Sequence, residues 1–322
     1  MERSYGMIIN RELRPSELPS AIALGSFDGL HRGHRKVISL ALAGAEQGLA
    51  PTVLTFEENP KAGAHGFGGM LLPEQEKIRL LEKMGIAQLY LLSFDSIKGL
   101  APQEFVSGVL AGVCKARLAC CGFNFTFGRG GTAGSVDLRR LCGPLGIETT
   151  VAGAVLAEGE PISSTRIRRL LEEGRADEAA RLLGRPFGYE SPVLAGRKLG
   201  RRLGAPTLNQ AVPQELVRPK FGVYVSAVSF GGTITCGVTN VGVKPTVGSD
   251  AVLAETWMPG YGGPDLYGQT VRVDLLNFLR PERKFGSLGE LSEEIRRNGA
   301  QAEQYFCEHP ELSSGGTMGQ NI

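Results

Sequence analysis

The first half of the chain alternates short apolar runs with segments of helical periodicity. From Ala21 onwards, the runs AIALG, PTVLTF and QLYLLSF are each followed by a segment in which apolar residues recur three or four positions apart: HRKVISLALAGAEQG, PEQEKIRLLEKMG and APQEFVSGVLAG. Two more strand-like runs, ARLACCGF and IETTVAG, continue the alternation, and the helical segment STRIRRLLEEG closes it with a stop at Gly174. This pattern predicts a doubly wound α/β domain with a parallel sheet, whose ligands bind beyond the carboxyl ends of the strands.

The pattern changes after Pro186. Five short runs of strand character follow, separated by Gly, Pro and Asp: YESPVLAG, GVYVSAVSF, TITCGVTNVG, VLAETW and QTVRVDLLNF. Such a series predicts a small antiparallel β-barrel. The helical segment SLGELSEEIRRNGAQAEQYF comes next and is expected to pack on the barrel. We therefore predict one domain over residues 1–186, a second over 187–306, and a polar, disordered tail over 307–322.

Composition narrows the class of protein. A chain of 322 residues is long enough for two domains that each bury a core. Its net charge of +2 gives no excess of basic residues for holding nucleic acid by counterion release. Since charged residues interrupt every long apolar run and no secretory signal opens the chain, we expect neither a nucleic acid nor a membrane as partner. The six cysteines form no CxxC pair, which is typical of reduced thiols in the cytoplasm.

The string that follows the first predicted strand carries the clearest chemistry. Residues 25–34, GSFDGLHRGH, lie where the strand gives way to a helix, and a helix N-terminus offers free N–H groups and a favourable dipole to an anion. His31 and His34 share one face of the first turn, and Gly33 lets a phosphate chain approach the backbone. An imidazole pair beside a triphosphate can donate hydrogen bonds to charge that develops on the α-phosphate. By itself, HxGH fits equally a helix cap with incidental histidines, or a metal-binding pair.

The longer string resembles the nucleotidylyltransferase signature in the form GxFDGxHxGH, which bacterial FAD synthetases carry. Three further segments match that family in order: TFEENP at 55–60, GFNFTFG at 122–128 and ISSTRIR at 162–168. The resemblance implies transfer of AMP from ATP to FMN, with His31 and His34 as catalytic residues. The residues that it implies for ATP are Gly25, Phe27, Asp28, Gly29, His31, Gly33, His34, Ser164, Thr165 and Arg168, and those for FMN are Asn59, Asn124, Phe125 and Phe127.

One element in this half departs from the family at two positions. Where its TFxPHP element usually has histidine, this chain has Asn59, and Glu58 replaces the preceding proline. An imidazole that could meet the phosphates is replaced by an amide, which donates hydrogen bonds but carries no positive charge.

A glycine-rich, basic string opens the barrel half. Residues 196–209, GRKLGRRLGAPTLN, contain three glycines and four cations, and end with a threonine and an asparagine two positions apart. We interpret the string as a loop suited to a triphosphate and Mg²⁺, with the hydroxyl of Thr207 and the amide oxygen of Asn209 as hard metal ligands. A basic surface turn would carry the same residue types.

The barrel half resembles riboflavin kinase throughout its length. The family's PTxN element is present at 206–209, and NVGVKPT at 240–246, DLYG at 265–268 and FLRPERKF at 278–285 follow in order. The resemblance implies a six-stranded barrel in which Glu255 activates the ribityl 5′-hydroxyl as general base. An outward-facing strand glutamate fits the spacing of Glu255 as well. The residues that the resemblance implies for ATP and riboflavin are Gly196, Lys198, Gly200, Arg201, Gly204, Pro206, Asn240 and Arg280.

Together the two halves indicate a cytoplasmic enzyme that uses ATP and Mg²⁺ twice. Riboflavin is phosphorylated to FMN, and FMN is adenylylated to FAD with release of pyrophosphate, so that riboflavin, FMN and ATP are its small-molecule substrates. Two alternatives stay open: a riboflavin kinase whose N-terminal half, altered at Asn59, adenylylates weakly, and a non-catalytic flavin-binding sensor. The products formed from riboflavin and ATP distinguish the three.

Overall fold

A seven-stranded sheet forms the centre of the first half of the chain. A computed structural model describes residues 2–4, 6–62, 67–195, 205–243 and 252–312, and contacts divide the chain into two units, Met1–Ser164 and Thr165–Ile322. The strands of the first unit are β1 (Glu2–Ser4), β2 (Met7–Asn10), β3 (Ser20–Leu24), β4 (Ala50–Phe56), β5 (Gln88–Leu92), β6 (Ala116–Gly122), β7 (Thr126–Phe127), β8 (Ala133–Gly134), β9 (Glu148–Ala152), β10 (Leu156–Ala157) and β11 (Glu160–Pro161).

The large sheet has the order β1-β2-β5-β4-β3-β6-β9, and two small hairpins, β7-β8 and β10-β11, lie outside it. All of its neighbouring strands are parallel except β1 and β2. Strands β3 and β5 are buried along their whole length, because helices cover both faces of the sheet.

The helices of the first unit are α1 (Arg32–Ala43), α2 (Glu74–Lys83), α3 (Pro102–Glu104) and α4 (Ser135–Cys142), and α5 (Ser164–Glu173) begins at the last residue of this unit and continues in the second. Helix α3 continues directly into a π-helical segment, Phe105–Val113. One core contains Ile38 of α1 and Leu81 of α2, and a second contains Leu110 and Leu138, so each face of the sheet has its own apolar layer. The predicted doubly wound fold is confirmed, and so is the helix stop, since Gly174 has a φ of 85°.

The strand order places a crevice beside β3. From β3 the chain moves to β4 and β5 on one side, and later to β6 and β9 on the other. Open α/β sheets bind ligands where the order reverses in this way, at the carboxyl ends of the two diverging strands. Here these ends are Leu24 and Gly122, so the 25–34 and 122–128 strings flank the crevice.

The second unit is built on a six-stranded antiparallel sheet. Its strands are β12 (Phe187–Pro192), β13 (Thr207–Ala211), β14 (Gly222–Phe230), β15 (Thr233–Val243), β16 (Val252–Trp257) and β17 (Thr270–Arg280), in the order β12-β17-β14-β15-β16-β13. The sheet curls so that its two edges meet, where the N–H of Leu194 donates to the carbonyl of Asn209 at 2.7 Å. The side chain of Gln210 adds a bond to the carbonyl of Ser191 at 2.7 Å. The predicted small barrel is confirmed.

The end of the glycine-rich string is strand rather than loop. Thr207 and Asn209 lie on β13, whose pairing with β16 supplies the hydrogen bonds that a local reading of the sequence does not show. The earlier part of the string, residues 196–204, lies outside the described residues.

One long helix covers the outer face of the barrel. Helix α6 (Ala176–Leu183) precedes the barrel, and helix α7 (Leu288–Glu308) packs against β14 and β15, with Ala302 and Phe306 in a core shared with Val223 and Val225. Residues 307 and 308 belong to α7, and Pro310–Leu312 form a 3-10 turn whose Leu312 is buried. The expectation of a disordered tail from residue 307 is therefore wrong for residues 307–312, and residues 313–322 lie outside the described residues.

The division between the units falls earlier than the expected boundary at residue 186. Helix α6 packs against β12 and β17, which places it with the barrel. In the part of the chain that the structure describes, no helix has both the length and the apolar character needed to cross a membrane. All six cysteines are free, and burial raises the pKa of Cys114 and Cys120 to about 12.

Candidate active sites

A strained turn joins β3 to α1. Phe27 and Leu30 have φ angles of 46° and 43°, a left-handed conformation that costs a non-glycine residue about 1–3 kcal/mol. Both side chains are 1% exposed, so their burial in the core holds the turn in this shape. A Cβ on Gly25 would lie 3.1 Å from the ring of Phe27, which explains the glycine there. The turn delivers His31 to the N-terminus of the helix.

His31 is the N-cap of α1. Its Nδ1 accepts the backbone N–H of His34 at 3.2 Å, so the uncharged ring carries its proton on Nε2. The rings of His31 and His34 stack with centroids 3.5 Å apart. A Cβ on Gly33 would lie 3.1 Å from the His31 ring, so the glycine makes room for this arrangement. The cap therefore fixes which ring nitrogen of an uncharged His31 carries the proton.

His34 is held as a neutral imidazole. Burial lowers its pKa well below the ordinary value, and electrostatic interactions with His31 and Lys77 lower it further. The edge of Phe27 packs on its ring at 5.4 Å, and no group within the described ranges bonds its buried Nδ1.

The metal-pair interpretation of the two histidines gains no support. Nδ1 of His31 is occupied by a backbone N–H, and among the described residues no cluster of three or more His, Cys, Asp or Glu side chains is placed to hold a metal. The helix-cap interpretation is correct for His31, and it is compatible with a role in binding an anion at the same helix end.

Asp28 joins three segments around the turn. Its carboxylate is buried, and accepts the backbone N–H of Leu71 at 2.9 Å and the side-chain N–H of Asn59 at 3.1 Å. Its backbone carbonyl accepts the hydroxyl of Ser164 at 2.9 Å. Asp28 thus ties the turn to the segment after β4, to the approach to α2, and to the start of α5.

Asn59 uses both ends of its amide within the protein. Its Nδ2 donates to Asp28, and its Oδ1 accepts the N–H of Lys61 at 2.9 Å. The structure therefore brings this predicted flavin residue to the histidine turn, next to a predicted ATP residue. Its role toward FMN stays a prediction.

The aromatic string after β6 presents one accessible ring and one buried ring. Phe125 and Phe127 stack with centroids 5.7 Å apart, and Phe127 also packs on Phe105 at 5.4 Å. Phe127 is buried in the core, whereas Phe125 is half-buried and Asn124 is exposed. Phe127 therefore supports Phe125 from the core, and the role of Phe125 and Asn124 toward a flavin stays a prediction.

Sequence reasoning missed one charged residue here. Lys77 of α2 is buried, and its Nζ donates to the carbonyl of Phe56, the last residue of β4, at 3.0 Å. Of the other predicted ATP residues, Gly29 lies in the β3–α1 turn with a φ of 87°, while the exposed Thr165 and the buried Arg168 belong to the second unit.

Three predicted kinase residues form one row across the barrel. Asn209 of β13 pairs with Glu255 of β16, and Glu255 pairs with Asn240 of β15. Directly paired residues of antiparallel strands place their side chains on the same face of a sheet. Glu255 is half-buried, and its face is the one that α7 covers, since Trp257 packs with α7. The row thus places a carboxylate between two amides.

The amide of Asn240 is half satisfied. Its Nδ2 donates to the carboxylate of Glu282 at 3.0 Å, while its Oδ1 is buried and receives no hydrogen bond from the described residues. A buried acceptor without a donor is unfavourable, so this atom is suited to a donor on a ligand. A Cβ on Gly242 would run into the same carboxylate of Glu282, so the glycine makes room for it.

Arg280 is held by a polar network that the sequence did not indicate. Its Nε contacts Glu294 of α7 at 2.9 Å and Asn298 at 3.2 Å, and Glu294 also accepts from Arg283 at 2.7 Å. A cavity of about 480 Å³ opens beside this network, and Phe285 contributes to its wall. The sequence showed the helix, but not that its buried polar residues would fix Arg280.

Thr207 and Asn209 are two residues apart on β13 and so share a face. Their hydroxyl and amide oxygens are the hard donors that Mg²⁺ accepts beside phosphates and water. Pro206 is exposed just before the strand. The other predicted loop residues lie outside the described residues: Gly196, Lys198, Gly200, Arg201 and Gly204.

Two family models match the chain, one on each half. The FAD synthetase model matches residues 14–166, and the riboflavin kinase model matches residues 183–306. A bifunctional riboflavin kinase/FMN adenylyltransferase of Bacillus subtilis is 31% identical over 91% of this chain and 95% of its own length. The protein of that description from Escherichia coli K12 is 32% identical over 88% of this chain and 92% of its own length.

A solved structure agrees in fold over nearly the whole chain. It is described as a macrolide-efflux protein from Streptococcus pneumoniae, is 29% identical, covers 92% of this chain and 99% of its own, and has a TM-score of 0.84. The efflux description applies to that protein, whereas the family matches and the relatives agree with each other on the two halves. The chain therefore belongs to the family of bifunctional riboflavin kinase/FMN adenylyltransferases.

Proposed function

We propose that the chain makes FAD from riboflavin in two ATP-dependent steps. The barrel transfers the γ-phosphoryl group of ATP to the 5′-hydroxyl of riboflavin, and the α/β unit transfers AMP from a second ATP to FMN, releasing pyrophosphate. The observation that carries the proposal is that two family matches, covering residues 14–166 and 183–306, each fall on a unit with an assembled polar site.

In the kinase step, Glu255 accepts the proton of the riboflavin hydroxyl. Its place between Asn209 and Asn240 in the cross-strand row supports this role, since the buried Oδ1 of Asn240 can accept a ligand donor beside it. Thr207 and Asn209 would hold Mg²⁺, which when bound neutralises charge on the phosphates. Arg280, fixed by Glu294 and Asn298, adds a positive charge at the edge of the row.

In the adenylyl transfer, the N-terminus of α1 receives the triphosphate. The free N–H groups of the first turn and the helix dipole favour the anion. His31 offers Nε2–H to the charge that develops on the α-phosphate, because its Nδ1 is already bonded to the His34 N–H. Phe125 and Asn124 offer the flavin a surface at the end of β6, on the opposite side of the crevice.

A second candidate function is a riboflavin kinase with weak adenylyl transfer. One observation favours it: the amide that replaces the family's histidine is bonded to Asp28 and to the Lys61 N–H. An amide so engaged brings no positive charge to the phosphates. The sensor alternative has less support, because His31, His34, Thr207, Asn209 and Glu255 are all present.

Incubation of the purified chain with riboflavin, ATP and Mg²⁺ tests the proposal. FMN and FAD are separated by chromatography and followed over time, and a parallel reaction starts from FMN. We expect FMN to form first and FAD after it, and chelation of Mg²⁺ to stop both. If riboflavin is converted to FMN but neither reaction yields FAD, the second candidate is supported. If riboflavin yields no FMN and neither reaction yields FAD, the sensor alternative is supported.

We also propose the cytoplasm as the compartment. All six thiols are free, and four of them are buried in the core of the α/β unit. Detection of the chain in the cytoplasmic fraction after cell lysis would test this, and recovery in an oxidising compartment would contradict it.

A further inference from the structure

Lys77 is a buried cation beneath the histidine turn. Lys77 is only 4% exposed, although lysine is one of the residue types that are least often fully buried unless they are paired. Its Nζ donates to the carbonyl of Phe56 at 3.0 Å. Burial lowers the pKa of this ammonium group, while the carboxylates of Asp28 and Glu74 oppose the change. Burial therefore disfavours the charged form of Lys77, and the two nearby carboxylates stabilise it.

The strand end that Lys77 contacts is linked by side chains to the histidine turn. At the end of β4, the Thr55 hydroxyl donates to the carbonyl of Ser26 at 2.8 Å, and Asn59 donates to Asp28 at 3.1 Å. Lys77 reaches the same strand end from α2, between these two links. Two side-chain hydrogen bonds thus link the exits of β3 and β4, and the lysine ties the end of β4 to α2.

A second cation reinforces the link between α2 and the end of β4. Arg11 bonds Glu57, the residue after β4, at 3.0 Å, and Glu74 in the first turn of α2 at 2.8 Å. These side chains are about one-third exposed, so the two ion pairs stabilise the fold less than their short distances suggest. The buried bond of Lys77 is the stronger constraint of the two, since water does not compete for it.

The charge of Lys77 also acts on the histidines. The groups that act electrostatically on His34 are His31 from its own turn and Lys77 from α2, and both disfavour a second positive charge. Asp28, in the same turn, is attracted by the lysine. The one cation therefore attracts a carboxylate and adds to the burial that disfavours a protonated imidazole within a single loop.

We propose that Lys77 is a positioning residue of the adenylyltransferase reaction: from α2 its ammonium group fixes the end of β4 and the β3–α1 turn, so that Asp28 and His34 keep the arrangement that receives the triphosphate. This inference rests on the proposed function of the α/β unit. Lys77 acts through Phe56, Asp28 and His34, and is given no contact with substrate.

The kinetic test uses the full chain and four variants. K77M removes the charge and the bond, K77Q removes the charge but keeps an N–H donor, and K77R keeps the charge. K83M is the matched control, since Lys83 is an exposed lysine of the same helix. We expect K77M and K77Q to lower kcat for FAD formation by about 10- to 100-fold, as misplacement of reacting groups does, with a smaller change in KM for ATP. K77R should retain more of kcat than K77Q, and K83M should match the wild type.

Riboflavin phosphorylation by the same molecules is the internal reference, because its residues lie in the other unit. We expect it to be unchanged in all four variants. If K77M does not fold, as thermal unfolding and circular dichroism would show, K77Q carries the test. Wild-type kcat for FAD formation in a folded K77Q or K77M variant would overturn the proposal.

Titration of His34 by NMR is a readout that does not depend on activity. The chain has four histidines, and H34Q assigns the His34 signal. Loss of the nearby positive charge should raise the pKa of His34 in K77M and K77Q, and leave it unchanged in K77R and K83M. An unchanged His34 titration in K77Q would contradict the inference. If the wild-type chain forms no FAD, the proposed function fails, while this titration still decides whether Lys77 controls the turn.

Discussion

At the residue scale, bonds within the protein set the chemical state of the reacting groups before any substrate binds. Nδ1 of His31 accepts a backbone N–H, which leaves Nε2–H as the donor. His34 is kept neutral by burial and by neighbouring positive charge. In the barrel, Glu255 lies between two amides, and one of these has a buried oxygen that is suited to a ligand donor. Substitutions can therefore be chosen that change the chemistry and keep the local fold.

Replacement of His31 by asparagine keeps its role as helix cap and removes its proposed role as a donor to the transition state. Asparagine is a favourable N-cap and can still accept the His34 N–H, but it has no imidazole. We expect H31N to lower FAD formation from FMN by about 10²- to 10³-fold, the effect of losing one transition-state donor, and to leave riboflavin phosphorylation unchanged. H31A should lose a further ~1 kcal/mol of stability with the cap. FAD formation at the wild-type rate in H31N would show that His31 serves only as a cap.

Replacement of Glu255 by glutamine keeps the shape of the side chain and removes its basicity. We expect E255Q to lower riboflavin phosphorylation by about 10²- to 10⁴-fold, with FAD formation from FMN unaffected. Glu190, an exposed strand glutamate of the same barrel, provides the control variant E190Q. If E255Q and E190Q had equal kinase rates, Glu255 would be an outward-facing strand residue without a role in proton transfer.

Asn59 tests how much the family's histidine contributes. In N59H, a ring N–H can replace the amide donor to Asp28, and the imidazole adds a group that can carry positive charge. We expect kcat for FAD formation to rise rather than KM alone to fall, because the added interaction is realised mainly in the transition state. Both constants are measured with FMN and ATP in excess Mg²⁺. An unchanged or lower kcat would mean that the bond from Asn59 to Asp28 is what this position supplies.

At the element scale, the start of α1 depends on the absence of a side chain at Gly33. A Cβ there would lie 3.1 Å from Cε1 and 3.2 Å from Nδ1 of His31, so the ring has to move by a few tenths of an ångström. We expect G33A to lower FAD formation about tenfold, since small misplacements of reacting groups are costly. The thermal stability of G33A should not be lower than that of the wild type, because alanine stabilises a helix by up to ~1 kcal/mol relative to glycine.

Gly108 provides the control for this substitution. It lies in the π-helical segment, and a Cβ on it meets nothing within 4 Å. G108A should keep the wild-type rate of FAD formation and be at least as stable in thermal unfolding. Equal activity of G33A and G108A would show that the position of the His31 ring is not important.

The pattern of the sequence predicts the elements whose burial is regular, and misses those made by distant contacts. Strands β3 and β5 are buried on both faces, so they appear as continuous apolar runs. Strand β13 follows a glycine-rich string and contains Thr207 and Asn209, and only its pairing with β16 makes it a strand. The strain at Phe27 and Leu30 has no local signal either, because apolar side chains ordinarily avoid a positive φ.

The site was predictable where a motif specifies it, and not where it depends on tertiary contacts. The strings located His31, Asp28 and Glu255, and the structure brings Asn59 to Asp28 and Asn209 to Glu255. Lys77 was missed because the stretch EQEK at the start of α2 has the composition of a solvated helix face. Its burial comes from the packing of α2 over the end of β4, which no local pattern shows.

At the scale of the whole molecule, the two steps are assigned to separate sites of one chain. The family matches do not overlap, since they cover residues 14–166 and 183–306, and no residue proposed for proton transfer in the barrel belongs to the α/β unit. The product of the barrel is the substrate of the α/β unit, so FMN has to leave one site before it reacts at the other. Two variants, one altered at each site, can test this separation together.

Mixing H31N with E255Q, and supplying riboflavin, ATP and Mg²⁺, tests whether the two sites act independently. Alone, H31N should accumulate FMN with little FAD, and E255Q should leave riboflavin almost unconverted while turning added FMN into FAD at the wild-type rate. The mixture should convert riboflavin to FAD, because FMN made by one variant is used by the other. Loss of both activities in either folded variant, or a mixture that makes FMN while neither variant converts added FMN to FAD, would contradict two independent sites.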